Sequence, residues 1–73
     1  MIKHCTDPTF LGTAVYVTSG AKTLKLSHLR GAEELPCGAV VITTANSTYR
    51  AEFTDARTRA AFVSTCATIG RLK

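Results

Sequence analysis

The chain predicts a small α+β domain: two β-hairpins forming a small antiparallel sheet, with one C-terminal α-helix packed on it. Three observations carry this expectation. Two stretches alternate with period two around turn chemistry, "TAVYVTSGAKTLKLSHL" and "AVVITTANSTYRAEFT". A third, "TDARTRAAFVSTCATIG", repeats its apolar residues at helical spacing between a side-chain cap and a glycine.

Taken in order, residues 1–12 read as an irregular N-terminal segment, with Pro8 excluding a helix interior and Gly12 closing it. Residues 13–54 hold the hairpins. Thr13 to Thr18 is rich in β-branched and aromatic residues, with Val15 and Val17 on one face and Tyr16 on the other. "SGAK" supplies the turn. In the arm from Thr23 to Leu29, Leu24 and Leu26 face one side while Lys25 and Ser27 face the other. Arg30 to Gly38 reads as a polar loop with room for one helical turn around Ala32 to Leu35, which Pro36 would end. The second hairpin turns at "NS", and its outgoing arm sets Tyr49, Ala51 and Phe53 against Arg50 and Glu52.

Residues 55–70 form the helix. Thr54 or Asp55 serves as N-cap, and Asp55 also suits the positive end of the helix dipole. Phe62, Val63, Cys66 and Ile69 make one apolar stripe, extended by Ala56 and Ala60. Gly70 fits the position after the C-cap, with Arg71 and Lys73 at the carbonyl end. The predicted core is Val15, Val17, Leu24, Leu26, Val40, Ile42, Ala51, Phe53, Phe62, Val63, Cys66 and Ile69. Sheet and helix bury these against one another, since neither covers its apolar side alone.

Seventy-three residues make one domain, of a size that buries only roughly 60% of its extended-chain surface. Apolar residues are 45% and charged residues 19%, a globular balance. The net charge of +4 favours acidic partners but only weakly. No apolar run reaches the roughly 18 residues needed to span a bilayer, and the amino end lacks the apolar region of a signal peptide. The expected location is cytoplasmic. Three widely spaced cysteines, Cys5, Cys37 and Cys66, fit reduced thiols better than a disulfide scaffold.

The chemistry-bearing residues are few. His4, Cys5, His28 and Cys37 hold the right elements for a zinc set, but structural zinc sites pair their ligands two to four residues apart, and here the only close pair is adjacent. Cys66 lies on the helix stripe, where a thiol acts as a small hydrophobe. No nucleophile motif or phosphate-binding glycine loop is present, and Glu33 and Glu34 sit in a polar loop. The residues therefore point to a binder without a cofactor, not to an enzyme. Nucleic-acid binding would draw on nine basic residues, yet Glu33, Glu34, Glu52 and Asp55 are interspersed among them and only Tyr16 and Tyr49 offer stacking rings. A protein-binding module would use an exposed sheet edge or an apolar groove.

The chain from "MIKHCTDPTFLGTAVYV" to "TDARTRAAFVSTCATIGRLK" resembles the small RNA-polymerase-binding transcription regulators of lytic Xanthomonas bacteriophages. The resemblance implies a protein that binds the largest subunits of the host's RNA polymerase core. It implies inhibition of sigma-dependent initiation at host promoters, antitermination and residence in the host cytoplasm. The partner expected is the polymerase itself, with nucleic acid contacted only indirectly or weakly, no membrane, and a monomeric chain. Contact residues expected for such a partner are Phe10, Leu11, Tyr16, Lys22, Lys25, Arg30 and Arg50. They combine apolar anchors with rim charges. The runner-up function is a small basic nucleic-acid-binding module.

Overall fold

The computed structural model describes residues 2–26 and 28–73. It contains strands β1 (Ile2–Leu11), β2 (Ala14–Ser19), β3 (Lys22–Lys25), β4 (Leu29–Glu34), β5 (Val40–Thr44) and β6 (Thr48–Glu52), then helix α1 (Ala56–Thr68). The six strands form one mixed sheet in the order β3-β2-β1-β6-β5-β4. The α+β class and the C-terminal helix agree with expectation, as do the hairpins β2–β3 and β5–β6. The purely antiparallel sheet does not: β1 runs parallel to β6, with Cys5 opposite Ala51. The sheet is thus two three-stranded antiparallel meanders, β1-β2-β3 and β4-β5-β6, joined along one parallel seam.

The first correction concerns residues 1–12, expected to be irregular. Of these, Ile2–Leu11 form the longest strand among the described residues, at the centre of the sheet. Pro8, which signalled a break, sits at a bulge where the β1–β2 register shifts between Thr6 and Thr9. A proline gives no ladder hydrogen bond, so a bulge is where an interior strand accommodates one. Asp7 beside it takes a left-handed φ of 48°, a conformation open to a short polar side chain. Pro8 itself is buried.

The second correction concerns Arg30 to Gly38. Instead of a loop with a helical turn, Leu29–Glu34 is strand β4, antiparallel to β5. Only Leu35 to Ala39 turn, closed by the Leu35 N–H donating to the Ala39 carbonyl at 2.8 Å and the Gly38 N–H donating to the Leu35 carbonyl at 3.0 Å. The small residues Gly31 and Ala32 hid the strand. Ala32 stands opposite Ile42 on the buried face, and the outer side of β4 meets the C-terminal residues. There the Ala32 N–H donates to the Arg71 carbonyl, and the Lys73 N–H to the Ala32 carbonyl, both at 2.8 Å.

The β2–β3 turn is set by Gly20, whose φ is 63° while Ala21 keeps a negative φ. That combination is a type II′ turn, which matches the twist of the flanking strands. The arm after it is shorter than expected, ending at Lys25. Ser27, expected to face outward, lies outside the described residues, as does Met1 of the N-terminal segment. The β5–β6 connection spans Ala45 to Ser47, and the buried Thr44 hydroxyl donates to the Ser47 carbonyl at 2.9 Å.

Helix α1 begins where expected. The Asp55 carboxylate accepts the Thr58 N–H at 2.8 Å, and these hydrogen bonds to Thr58 hold its carboxyl below the ordinary range. It ends in a Schellman motif: Gly70, at φ 75°, donates to the Ala67 carbonyl and Arg71 to the Cys66 carbonyl. The buried stripe is narrower than expected, with Phe62 and Cys66 buried and Val63 half-buried. Ala56 and Ala60 are exposed. Ile69 is 48% exposed because it caps the helix, beyond the last turn that reaches the sheet. Leu24 is 40% exposed because β3 is an edge strand.

The core otherwise follows expectation, with Val15, Val17, Leu26, Val40, Ile42, Ala51, Phe62 and Cys66 buried. Phe53 and Val63 pack against them half-buried. Cys5, Leu29 and Ala32 join the core from the two strands that sequence reading missed.

Candidate functional site

The seven expected contact residues separate into three groups. Tyr16, Lys22 and Lys25 lie together on the β2–β3 hairpin, with Tyr16 directly opposite Lys25 and Lys22 opposite Ser19. All four residues of β3 are exposed. Phe10 and Leu11 end β1. The Phe10 ring stacks on Phe62 at 5.2 Å between centroids, with the planes 24° apart, so it anchors the helix. Leu11 is 71% exposed. Arg30 and Arg50 lie in the other meander. Arg30 is the exposed extra residue at the β4 bulge between Leu29 and Gly31. Arg50 is engaged: its guanidinium donates to Glu52 Oε1 at 3.1 Å and to Cys37 Sγ at 3.2 Å.

Alternation along the strands decides which side each group serves. Val17, Cys5, Ala51 and Ile42 face the helix and core. Tyr16, Thr18, Thr6, Arg50, Thr43 and Thr48 face the opposite way, as their register partners require. The outer face of the sheet is therefore hydroxyl-rich, with Tyr16, Lys25, His4, Arg50, Glu33 and Glu52 as its larger polar groups. On the helix side, Lys3 Nζ lies 6.0 Å from the centre of the Tyr49 ring, within cation–π range.

His4, Cys5, His28 and Cys37 do not come together. Cys5 is buried against Ala51, its neighbour His4 points to the outer face, and Cys37 lies in the turn before β5. Among the described residues no group of three or more His, Cys, Asp or Glu could hold a metal ion.

The three thiols are free but unequal. Burial pushes Cys5 and Cys66 up to about 11. Cys37 is exposed and lowered, first by a hydrogen bond from the Ala39 backbone, then by the hydrogen bond and charge of Arg50. It borders an open cleft of about 550 Å³ shared with Arg50, Glu52, Thr54, Asp55 and Arg59. Glu34, expected in a polar loop, lies at the end of β4 and pairs with Arg59 at 2.8 Å.

The sequence carries one further signal: no Asp or Glu occurs between Asp7 and Glu33. The acids that seemed to dilute the basic residues all lie elsewhere. The stretch from Pro8 through β3 holds Lys22 and Lys25 and no acid of its own, and both lysines stand on the exposed edge strand. Among the described residues no helix is long and apolar enough to cross a membrane. Comparison with protein-family models, curated proteins and solved structures finds no match for this chain.

Proposed function

We propose that this chain is a phage-encoded regulator that binds the core of the host's bacterial RNA polymerase in the host cytoplasm. It inhibits sigma-dependent initiation and acts as an antiterminator. The whole-chain resemblance names the polymerase. The observation that carries a binding role is the β2–β3 hairpin, where Lys22 and Lys25 stand exposed on the edge strand, half-buried Tyr16 lies opposite Lys25, and the hairpin's own sequence holds no acid. Such a regulator occupies a surface that sigma needs, and requires only greater affinity for one state of its target. Aromatic and apolar groups anchor the contact, while the lysines set association rate and salt dependence.

The exposed edge lysines also favour a second reading, direct binding to nucleic acid, whose affinity would fall steeply with salt. One experiment separates the two: tagged protein is incubated with nuclease-treated bacterial lysate and the retained proteins are identified. Retention of polymerase subunits without sigma supports the regulator. Absence of polymerase, or its retention only while nucleic acid is intact, removes it.

A further inference from the structure

The two edges of the sheet are finished differently. On β4, the outward backbone groups of Ala32 are both taken by the C-terminal residues, through Arg71 and Lys73. Nothing among the described residues does this for β3. The hydrogen bond from the Leu26 N–H to the Val15 carbonyl at 2.8 Å fixes the parity of the hairpin. Val15–Leu26, Val17–Leu24 and Ser19–Lys22 are the hydrogen-bonded pairs, and Thr18–Thr23 and Tyr16–Lys25 are not. The N–H and C=O groups of Thr23 and Lys25 therefore point away from β2, two residues apart, at the spacing that an incoming strand requires.

The side chains restrict what that strand is. Thr23 and Lys25 flank it on the outer face; Lys22 and the partly exposed Leu24 flank it on the core side. A second copy of this chain is disfavoured. Antiparallel pairing of Thr23 with Lys25 sets the two Lys25 side chains diagonally across one face, and pairing Lys25 with Lys25 sets them opposite, like charge against like. We infer that β3 is the docking edge for an extended partner segment carrying carboxylates opposite Thr23 and Lys25 and an apolar residue beside Leu24. The partner adds a seventh strand, its backbone bonds giving affinity and its alternating side chains giving selectivity. This deepens the proposed function by naming the chemistry of the polymerase segment it would engage.

The test uses the full chain and the peptide acetyl-Glu-Val-Glu-Val-Glu-amide, titrated while backbone amide shifts and hydrogen exchange are followed by NMR. The expected result is saturable shifts centred on Thr23 and Lys25, with exchange of those two amides slowed. The peptide acetyl-Lys-Val-Lys-Val-Lys-amide should leave both unchanged. Thr23→Pro removes one outward N–H and spares the β2–β3 ladder; it should weaken binding about tenfold. Lys25→Glu should weaken it further as salt is lowered. Equal binding of the basic peptide, shifts centred elsewhere, self-association at the edge, or unchanged affinity in Thr23→Pro would overturn the inference. The polymerase pull-down decides separately: if Thr23→Pro retains polymerase as the parent does, the edge is wrong and the regulator stands. If the parent retains none, the regulator falls, and the peptide titration still judges the edge.

Discussion

The carboxylate of Asp7 accepts two groups of Thr54, its backbone N–H at 2.8 Å and its hydroxyl at 3.0 Å, across 47 positions of sequence. This contact fastens the bulge of β1 to the segment that launches the helix. It also explains why the residue at a φ of 48° is an aspartate, which tolerates that backbone and supplies the acceptor. Asp7→Ala should cost about 2 kcal/mol, combining the lost bonds with left-handed strain. Asp7→Asn keeps both features and should cost less than about 1 kcal/mol. Urea unfolding of the three proteins, with unchanged denaturant slope, checks the ranking.

Phe62 holds the helix to the sheet. Its ring lies 5.2 Å from Phe10 and 6.0 Å from Phe53, one on the central strand and one just after β6. Phe62→Ala should cost about 3–5 kcal/mol, comparable to the whole stability of a domain of this size. Far-ultraviolet circular dichroism of the variant should show a largely unfolded chain at 37 °C. Phe62→Leu should retain the fold with a lower midpoint.

The cysteines should separate by reactivity. Cys37 should be alkylated first by iodoacetamide under native conditions, with Cys5 and Cys66 reacting only on unfolding. Arg50→Ala should slow Cys37 at neutral pH, because the side chain that helps hold the thiolate is gone. Mass mapping of the labelled peptides gives the order.

The buried thiols also predict a pH limit. Both titrate at about 11 in the fold, above the ordinary thiol value, so between roughly 9 and 11 the unfolded chain has lost protons that the folded chain keeps. Their contribution is complete below the lower value and is lost as pH rises through that window, on the order of 2–3 kcal/mol for each thiol. Replacing Cys5 and Cys66 together by alanine should flatten the fall in stability over that window in chemical denaturation.

Arg59 ties the helix to the turn before β5. Its Nε donates to the Gly38 carbonyl and its Nη2 to Glu34, each at 2.8 Å. A lysine cannot reproduce that fork. Arg59→Lys should therefore lose nearly as much as Arg59→Ala, about 0.5–1 kcal/mol for partly exposed groups. Thermal unfolding of the pair of variants would reveal the difference if only charge mattered.

The elements governed by local rules were legible: both hairpins, the Asp55 cap, the Gly70 stop and most of the core. β1 was hidden because Pro8 reads as a breaker unless the bulge around Asp7 is known, and that bulge depends on Thr54 far along the chain. β4 was hidden because Gly31 and Ala32 lack β propensity, and its pairing with Val40 to Thr44 supplies what they lack. The parallel seam leaves no local trace. On the surface, the whole-chain charge of +4 averages over an acid-free stretch between Asp7 and Glu33, and only the position of Lys22 and Lys25 on the edge strand gives that stretch a place in the fold.

The seam gives the folding reaction a definite shape. Each meander closes through short turns and can form within its own stretch of chain. β1 and β6 meet only after nearly the full length between Ile2 and Glu52 has been looped back, so the entropic cost of that closure falls on one late encounter. The rate-limiting step is then the docking of two preformed ribbons. Substitutions within either hairpin, already formed at that step, should chiefly slow folding, while substitutions at Cys5 and Ala51, facing each other across the join, should show in the unfolding rate.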